Sequence, residues 1–178
     1  MFHSATELLI DYWRSLRGDA AVPPRASVDP AGFVAVAPRT FIAARDMRDA
    51  FAFRLAGESL IDLHGRPLPG QALSQLWRPL HRRRLEGLLE SALAAGEPLV
   101  ISAEAWTAEG SHLRLEVLFL PLAGPSGVAD RFLGLYQPHA GVWRGPIGEL
   151  ALLAAFGVAD EAEQLHLRLA TLDGRQIA

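Results

Sequence analysis

Residues 51–77 read FAFRLAGESLIDLHGRPLPGQALSQLW, and this stretch decides the fold. It begins as a strand in which Phe51, Phe53 and Leu55 alternate with small or charged residues, the period-two pattern of a sheet with one covered face. It then breaks into helical fragments: about two turns ending at Gly65, followed by a segment with two prolines and a glycine. Fragments this short depend on packing for stability, so the pattern predicts a strap of turns that crosses a sheet.

The rest of the chain predicts an α+β fold around this strap. Alternating apolar patterns predict five antiparallel strands, with the first two beside the last, near residues 39–45, 51–56, 98–106, 112–120 and 131–137. Leucines and alanines at helical spacing predict a longer helix from Pro79 to Gly96. A capping box at Ser4 and Glu7 predicts an N-terminal helix that stops at Gly18. Helices on one face of an antiparallel sheet define the α+β class.

Composition excludes several classes of protein. The chain has 178 residues, a net charge of −3, no cysteine and no lysine. This small charge gives no reason to expect nucleic acid or an anionic membrane as a partner. Without cysteine there are no disulfides, thiolate nucleophiles or iron–sulfur clusters. Since no apolar run approaches about 18 residues and no signal peptide is evident, we expect a soluble, cytoplasmic protein.

The order of elements resembles a PAS domain. Residues 54–77 resemble the passage from its second strand into its short helices, and residues 113–138 resemble its last two strands. The N-terminal LLIDYWRSLRGD and the LFLPL…DRFLG ending are similar to single-domain PAS proteins of alphaproteobacteria. The resemblance implies a helix and proline-rich loop over 1–37 and a PAS core over 38–138. It leaves a C-terminal extension over 139–178.

The extension and the cofactor are predicted less directly. Residues 145–157 have the pattern of a helix, and residues 163–175 fit either a strand or a frayed helix. A PAS fold implies a cavity that holds flavin, haem, a chromophore, a metabolite or only side chains. The absence of cysteine excludes flavin adducts and covalently attached chromophores. Haem, with His81 or His64 as its ligand, and non-covalent flavin remain open, but we expect no cofactor.

The expected cavity is small, because large side chains are predicted to fill it. It should be lined by Phe53, Leu55, Leu60, Leu63, Leu76, Trp77, Leu85, Leu88, Leu89, Ile101, Leu115, Val117, Leu133 and Leu135. Close packing is the default for a protein interior, so these side chains should leave a small or collapsed pocket.

Polar motifs point to binding rather than catalysis. Arg78, Arg82, Arg83 and Arg84 cluster at the start of the longer helix, where an anion or an acidic partner could bind; the alternative is a solvated surface. The six histidines show neither H-x-H nor H-E-x-x-H spacing, and GPSG at 124–127 lies in a predicted hairpin loop. We therefore expect neither a metal site nor an enzyme.

The N-terminal helix predicts a homodimer. At 100° per residue its apolar side chains span roughly 200°, whereas one buried stripe needs ~100°. The predicted interface consists of Leu8, Leu9, Tyr12, Trp13 and Leu16. Alternatively, the tail helix covers the second side within one chain.

Two functions follow: a signalling module that works by protein contact, through dimerisation and a signalling partner, or a sensor whose cavity holds a metabolite, haem or nucleotide.

Overall fold

A computed structural model describes residues 1–139 and 145–158. These residues form an antiparallel sheet of six strands in the order β2-β1-β5-β4-β3-β6. The strands are β1 (Thr40–Arg45), β2 (Phe51–Ala56), β3 (Leu99–Trp106), β4 (His112–Ala123), β5 (Ala129–Pro138) and β6 (Ala151–Gly157). The five strands predicted from sequence are confirmed, and β1 lies beside β5 as expected.

The sixth strand replaces a predicted helix. The sequence pattern predicted a helix over 145–157, but Ala151–Gly157 pairs antiparallel with β3. Alanine and leucine favour helices intrinsically, and here the open edge of β3 outweighs that preference by supplying a ladder of backbone hydrogen bonds. The prediction for 163–175 lies outside the described residues.

In the described residues, three helices and several 3₁₀ turns cover the sheet. The helices are α1 (Ser4–Arg17), α2 (Glu58–His64) and α3 (Pro79–Ala95). Gly65 and Gly96 end α2 and α3 in the left-handed conformation, with φ of 62° and 69°. The predicted capping box of α1 is wrong by one residue, because His3 is the N-cap and its Nδ1 accepts from the backbone N–H of Ala5 at 3.1 Å.

The strap predicted over 57–77 lies on one face of the sheet together with α3. Each turn buries one or two leucines: Leu60 and Leu63 from α2, Leu68 from the following loop, and Leu73 and Leu76 from a 3₁₀ turn. These side chains are at most 2% exposed. The predicted packing of the fragments on the sheet is confirmed.

The opposite face is covered by α1 and the chain that follows it. Leu9, Ile10 and Trp13 are buried against the outer side of β4 and β5. The Trp13 indole Nε1 donates to the carbonyl of Pro121 at 2.7 Å, which fixes the helix on β4. The sheet is therefore buried on both faces, and α1 is an integral layer of the domain.

Candidate functional site

The space between the strap and the sheet is filled with aromatic rings. Phe41 contacts Phe53, Phe119 and Tyr136 edge to face, with ring centroids 5.3, 5.7 and 5.9 Å apart. Phe132 continues the cluster at 5.7 Å from Phe119. Edge-to-face pairs at these distances are a favourable packing of aromatic side chains.

Most residues predicted to line this space do so. Those buried in the cluster between helices and sheet are Phe53, Leu60, Leu63, Leu76, Trp77, Leu85, Leu89, Ile101, Leu115 and Val117, with Leu88 partly buried beside them. Whether any of them contacts a ligand stays a prediction.

Three predicted lining residues were assigned to the wrong face. Leu133 and Leu135 belong to the cluster beneath α1, because on β5 the intervening Phe132 and Tyr136 point towards the helices. Leu55 is 55% exposed. A register shift opposite Ile42 interrupts the alternation of β2, so Leu55 no longer shares a face with Phe53.

His64 is the buried polar group with the most unusual surroundings. It ends α2, is 8% exposed, and its ring meets that of Tyr136 edge to face at 5.8 Å. Its Nε2 is buried without a hydrogen-bond partner. Burial, assisted by the nearby charge of Arg66, lowers the pKa of His64 to about 4, so the imidazole is neutral at pH 7.

A pocket of about 250 Å³ opens beside His64. Its wall combines the end of α2 with the chain that leads into β6, and consists of His64, Arg66, Leu76, Ile147, Gly148 and Glu149. The lead-in is held to the strap by two backbone hydrogen bonds: Ile147 N–H donates to Leu63 at 2.8 Å, and Leu150 N–H donates to Leu76 at 2.8 Å. The pocket therefore has a wall that the sequence did not predict.

His81 makes a hydrogen bond to the backbone of β6. Its Nδ1 accepts a hydrogen bond from the backbone N–H of Leu152 at 2.9 Å, which ties α3 to β6. A nitrogen in this hydrogen bond has no lone pair free for iron. The Nδ1 atom of His81 is therefore not available as the predicted haem ligand. Its hydrogen bond to β6 is a structural contact that the sequence did not indicate.

The predicted arginine cluster divides into two pairs. Arg78 lies over the Trp106 ring at 5.3 Å, and Arg82 donates to Glu149 at 2.8 Å and to the carbonyl of Trp77 at 2.8 Å. Arg83 and Arg84 are exposed. Two of the four guanidinium groups are therefore engaged within the chain, and a shared anion site stays a prediction.

The predicted interface residues of α1 differ in how far they are exposed. Leu9 and Trp13 are at most 1% exposed within a single chain, so they belong to the core beneath the helix rather than to a free surface. Tyr12 packs on Phe33 at 5.1 Å, and its hydroxyl bonds to the backbone of Asp29. Leu16 is half-buried, and Leu8 is 46% exposed. Residues 29–33 thus cover part of the helix for which the sequence pattern predicted a dimer contact or, alternatively, the tail helix.

A buried carboxylate holds α1 to the sheet, and sequence reasoning missed it. Glu116 on β4 is 5% exposed; it accepts from the Thr6 hydroxyl at 2.5 Å and from the His3 backbone N–H at 3.1 Å. In the sequence, Glu116 follows His112 and Arg114 at alternate positions, a pattern that is typical of an exposed sheet face as well as of a catalytic row. Among the described residues no cluster of three groups suited to a metal ion occurs.

Comparison with protein families decides the identity of the fold. The PAS domain family matches residues 1–137. This chain belongs to the PAS domain family. Its match includes α1, so the helix on the outer face is part of the PAS domain as the family defines it, whereas β6 and the lead-in to it lie beyond the matched residues.

Solved structures give more distant likenesses to this PAS domain. The light-state structure of the blue-light photoreceptor Aureochrome1 LOV is 14% identical, with a TM-score of 0.46, covering 64% of this chain and 90% of that one. The Rhodobacter sphaeroides LOV protein is 15% identical, with a TM-score of 0.46, covering 79% of this chain and 69% of that one. No curated protein matches this sequence.

Side chains occupy the space between strap and sheet in this PAS domain. Ligand pockets for drug-sized molecules measure about 300–1,000 Å³, and the pocket beside His64 measures about 250 Å³. A flavin or haem between strap and sheet would have to displace the rings around Phe41. Without cysteine the chain also has no thiol for a flavin adduct.

Among the helices of the described residues, none has the length and hydropathy needed to cross a bilayer.

Proposed function

We propose that this PAS domain is a regulatory signalling module that acts by protein contact, as a homodimer and by docking to a partner, and not by catalysis. The proposal extends to membership of the single-domain PAS proteins of alphaproteobacteria, which its N-terminal segment resembles. The open edge of β6, with which no strand of the described residues pairs, is the observation that carries the contact function.

The two ends of the sheet differ in how they are protected. The outer edge of β2 is occupied, because Gly70 N–H donates to Phe53 at 2.8 Å and Phe53 N–H donates to Gln71 at 3.0 Å. In the described part of the chain, β6 pairs with β3 on one side only. An unpaired edge offers backbone donors and acceptors to an added strand, which is a common mode of protein recognition.

The composition of β6 suits pairing with another strand. Proteins usually protect an open edge with lysine, proline or an inward charge, but β6 reads ALLAAFG and contains none of these. Phe156 on this strand contacts Phe2 at 6.0 Å, which places the start of α1 beside the same edge. The segment predicted to dimerise therefore lies close to the edge that is open.

The experiment uses the backbone pattern of β6. Val158 N–H donates to Pro98 at 2.9 Å, and donors alternate along an antiparallel ladder, so the N–H of Ala155 points away from β3. An Ala155→Pro variant removes an outward donor while it spares the ladder to β3. We expect light scattering at micromolar concentration to show a dimer for the wild type and a monomer for the variant, with unchanged circular dichroism.

A second variant pair tests α1. Leu8→Lys changes the exposed leucine of α1, and Leu80→Lys is its control, since Leu80 is 87% exposed on α3. We expect the first substitution to weaken the dimer and the second to leave it unchanged. A wild type that is already monomeric would contradict the homodimer, and a dimer unaffected by Ala155→Pro would show that the β6 edge is not the contact.

Ligand sensing is the second candidate function. It is favoured by one observation: His64 lines a pocket, and its Nε2 is buried without a hydrogen-bond partner. Buried polar groups in folded proteins are nearly always hydrogen-bonded, so an unpaired one in a residue that lines a pocket favours a ligand-binding role for that residue.

A further inference from the structure

The pocket beside His64 differs from the space between strap and sheet, which side chains fill. Two walls belong to the matched PAS region, at His64 and Arg66, and one wall is the lead-in Ile147–Gly148–Glu149 beyond it. At about 250 Å³ the pocket has room for roughly eight groups the size of water, since each water occupies about 30 Å³ in the liquid. A ligand of this size is a small organic molecule.

The charges around the pocket favour an anion. The Arg66 guanidinium makes no hydrogen bond or ion pair with the residues that the structure describes. Glu149 is neutralised by Arg82, whose Nη2 lies 2.8 Å from its carboxylate. Among the described residues that line the pocket, Arg66 is therefore a positive charge without a paired carboxylate. Leu76 and Ile147 supply an apolar wall for the rest of a ligand.

The neutral imidazole of His64 complements this charge. A neutral ring carries one N–H, so His64 can donate a single hydrogen bond without bringing a second positive charge beside Arg66. A carboxylate accepts bonds from both an arginine and an N–H donor. Glu149 is the only carboxylate among the residues described as lining the pocket, and it is paired with Arg82, so a cationic ligand would meet Arg66 without a free carboxylate in that lining.

We propose that this pocket binds a small monocarboxylate, with its charged group at Arg66, a hydrogen bond from His64 and its apolar part against Leu76 and Ile147. The proposal rests on the ligand-sensing function and names its ligand class. Because the same lead-in continues directly into β6, an occupied pocket would connect α2 to the strand with the open edge.

The test titrates the full-length protein with acetate, butyrate and benzoate and follows the His64 ring signals by NMR. We expect a saturable change for butyrate or benzoate with a Kd of ~1 mM or lower, since ligands of few atoms bind with limited energy. Benzyl alcohol, the uncharged counterpart of benzoate, should bind at least about tenfold more weakly. The bound anion should also raise the pKa of His64, because it offsets the charge of Arg66.

Variants locate the site. Arg66→Gln should weaken benzoate binding at least about tenfold, whereas Arg83→Gln, an exposed arginine in the cluster on α3, should have no effect. His64→Phe should weaken binding as well. The proposal is overturned if none of the three acids gives a saturable change up to ~10 mM, if benzyl alcohol binds as well as benzoate, or if Arg83→Gln and not Arg66→Gln removes binding. These titrations do not depend on whether the protein is a dimer, so they test the ligand proposal separately from the contact function, which light scattering tests.

Discussion

The imidazole of His81 on α3 accepts the backbone N–H of Leu152 on β6 at 2.9 Å, and this bond joins a helix of the matched PAS region to a strand beyond it. Leu152 lies where the register between β3 and β6 shifts, between Ser102 and Ala103. A shift of this kind disrupts the ladder locally. The side chain of His81 therefore satisfies a backbone donor at an irregular position of the strand.

Replacement of His81 should destabilise the attachment of β6. In His81→Leu the Leu152 N–H has no acceptor, and a buried donor left unpaired costs about 1–3 kcal/mol. His81→Asn is the matched control, because its side-chain oxygen can occupy nearly the position of Nδ1. We expect urea unfolding to show the loss for leucine and a smaller one for asparagine. Equal stability of His81→Leu and wild type would contradict this role.

The stability of the domain should depend on the titration of His64. Burial lowers its pKa from 6.5 to about 4, so the unfolded chain binds the proton more readily than the folded chain does. The stability associated with the neutral ring is complete above about pH 6.5 and is lost as the pH falls towards 4. A pKa difference of about 2.5, at about 1.36 kcal/mol per pH unit, gives about 3 kcal/mol.

His64→Phe isolates this contribution from the carboxylates that titrate in the same range. The difference in unfolding free energy between wild type and variant should be constant above pH 7 and should change in favour of the variant below pH 6. Phenylalanine also removes the unpartnered Nε2, so the variant should be at least as stable as wild type at pH 7. Parallel curves from pH 4 to 7.5 would show that His64 is not buried as described.

The contact between Thr6 and Glu116 should hold α1 on the sheet. Thr6→Val keeps the shape of the side chain but removes the hydroxyl that donates to the buried carboxylate at 2.5 Å. We expect a loss of about 1–3 kcal/mol in unfolding free energy and faster hydrogen exchange of the amides of α1. Ser15→Ala removes an exposed hydroxyl from the same helix and should change stability by less than about 0.5 kcal/mol. Similar exchange rates in both variants would contradict the prediction.

Gly134 should be irreplaceable because the Phe41 ring lies directly over it. A Cβ at Gly134 would come within 2.0 Å of this ring, at the centre of the aromatic cluster. Gly134→Ala should cost at least about 1–3 kcal/mol, the usual effect of overpacking a core. Gly87→Ala is the control: it lies within α3 with open space around it, and it should stabilise the helix by about 0.5–1 kcal/mol. Thermal unfolding of the two variants measures both effects.

Sequence predicted the parts of the fold whose signals are local. The period-two pattern located β2 at 51–56, and Gly65 and Gly96 marked the ends of α2 and α3 because a left-handed residue there favours glycine. The strap was predictable because prolines and glycines exclude a long helix. These features depend on neighbouring residues only.

Sequence failed where both faces of an element are buried or where pairing comes from distant residues. On β5, Phe132 and Leu133 are both apolar and both buried, so alternation gave no information about which one faces the helices. In β6, alanine and leucine indicated a helix, and only the neighbouring β3 makes a strand of them. The role of Glu116 depends on Thr6, 110 positions away in the chain, and no local pattern marks it.

Because β6 lies beyond residue 137, the boundary of the family match is a poor place to divide the protein. A fragment that stops at residue 138 would expose the hydrogen-bonding edge of β3 and would uncover Trp77, which is fully buried here and forms a bridge to Leu150. Such an exposed edge beside an exposed indole favours aggregation. Recombinant versions of this domain should therefore extend through residue 158, and a shorter fragment that precipitates would report on its missing strand rather than on the stability of the native protein.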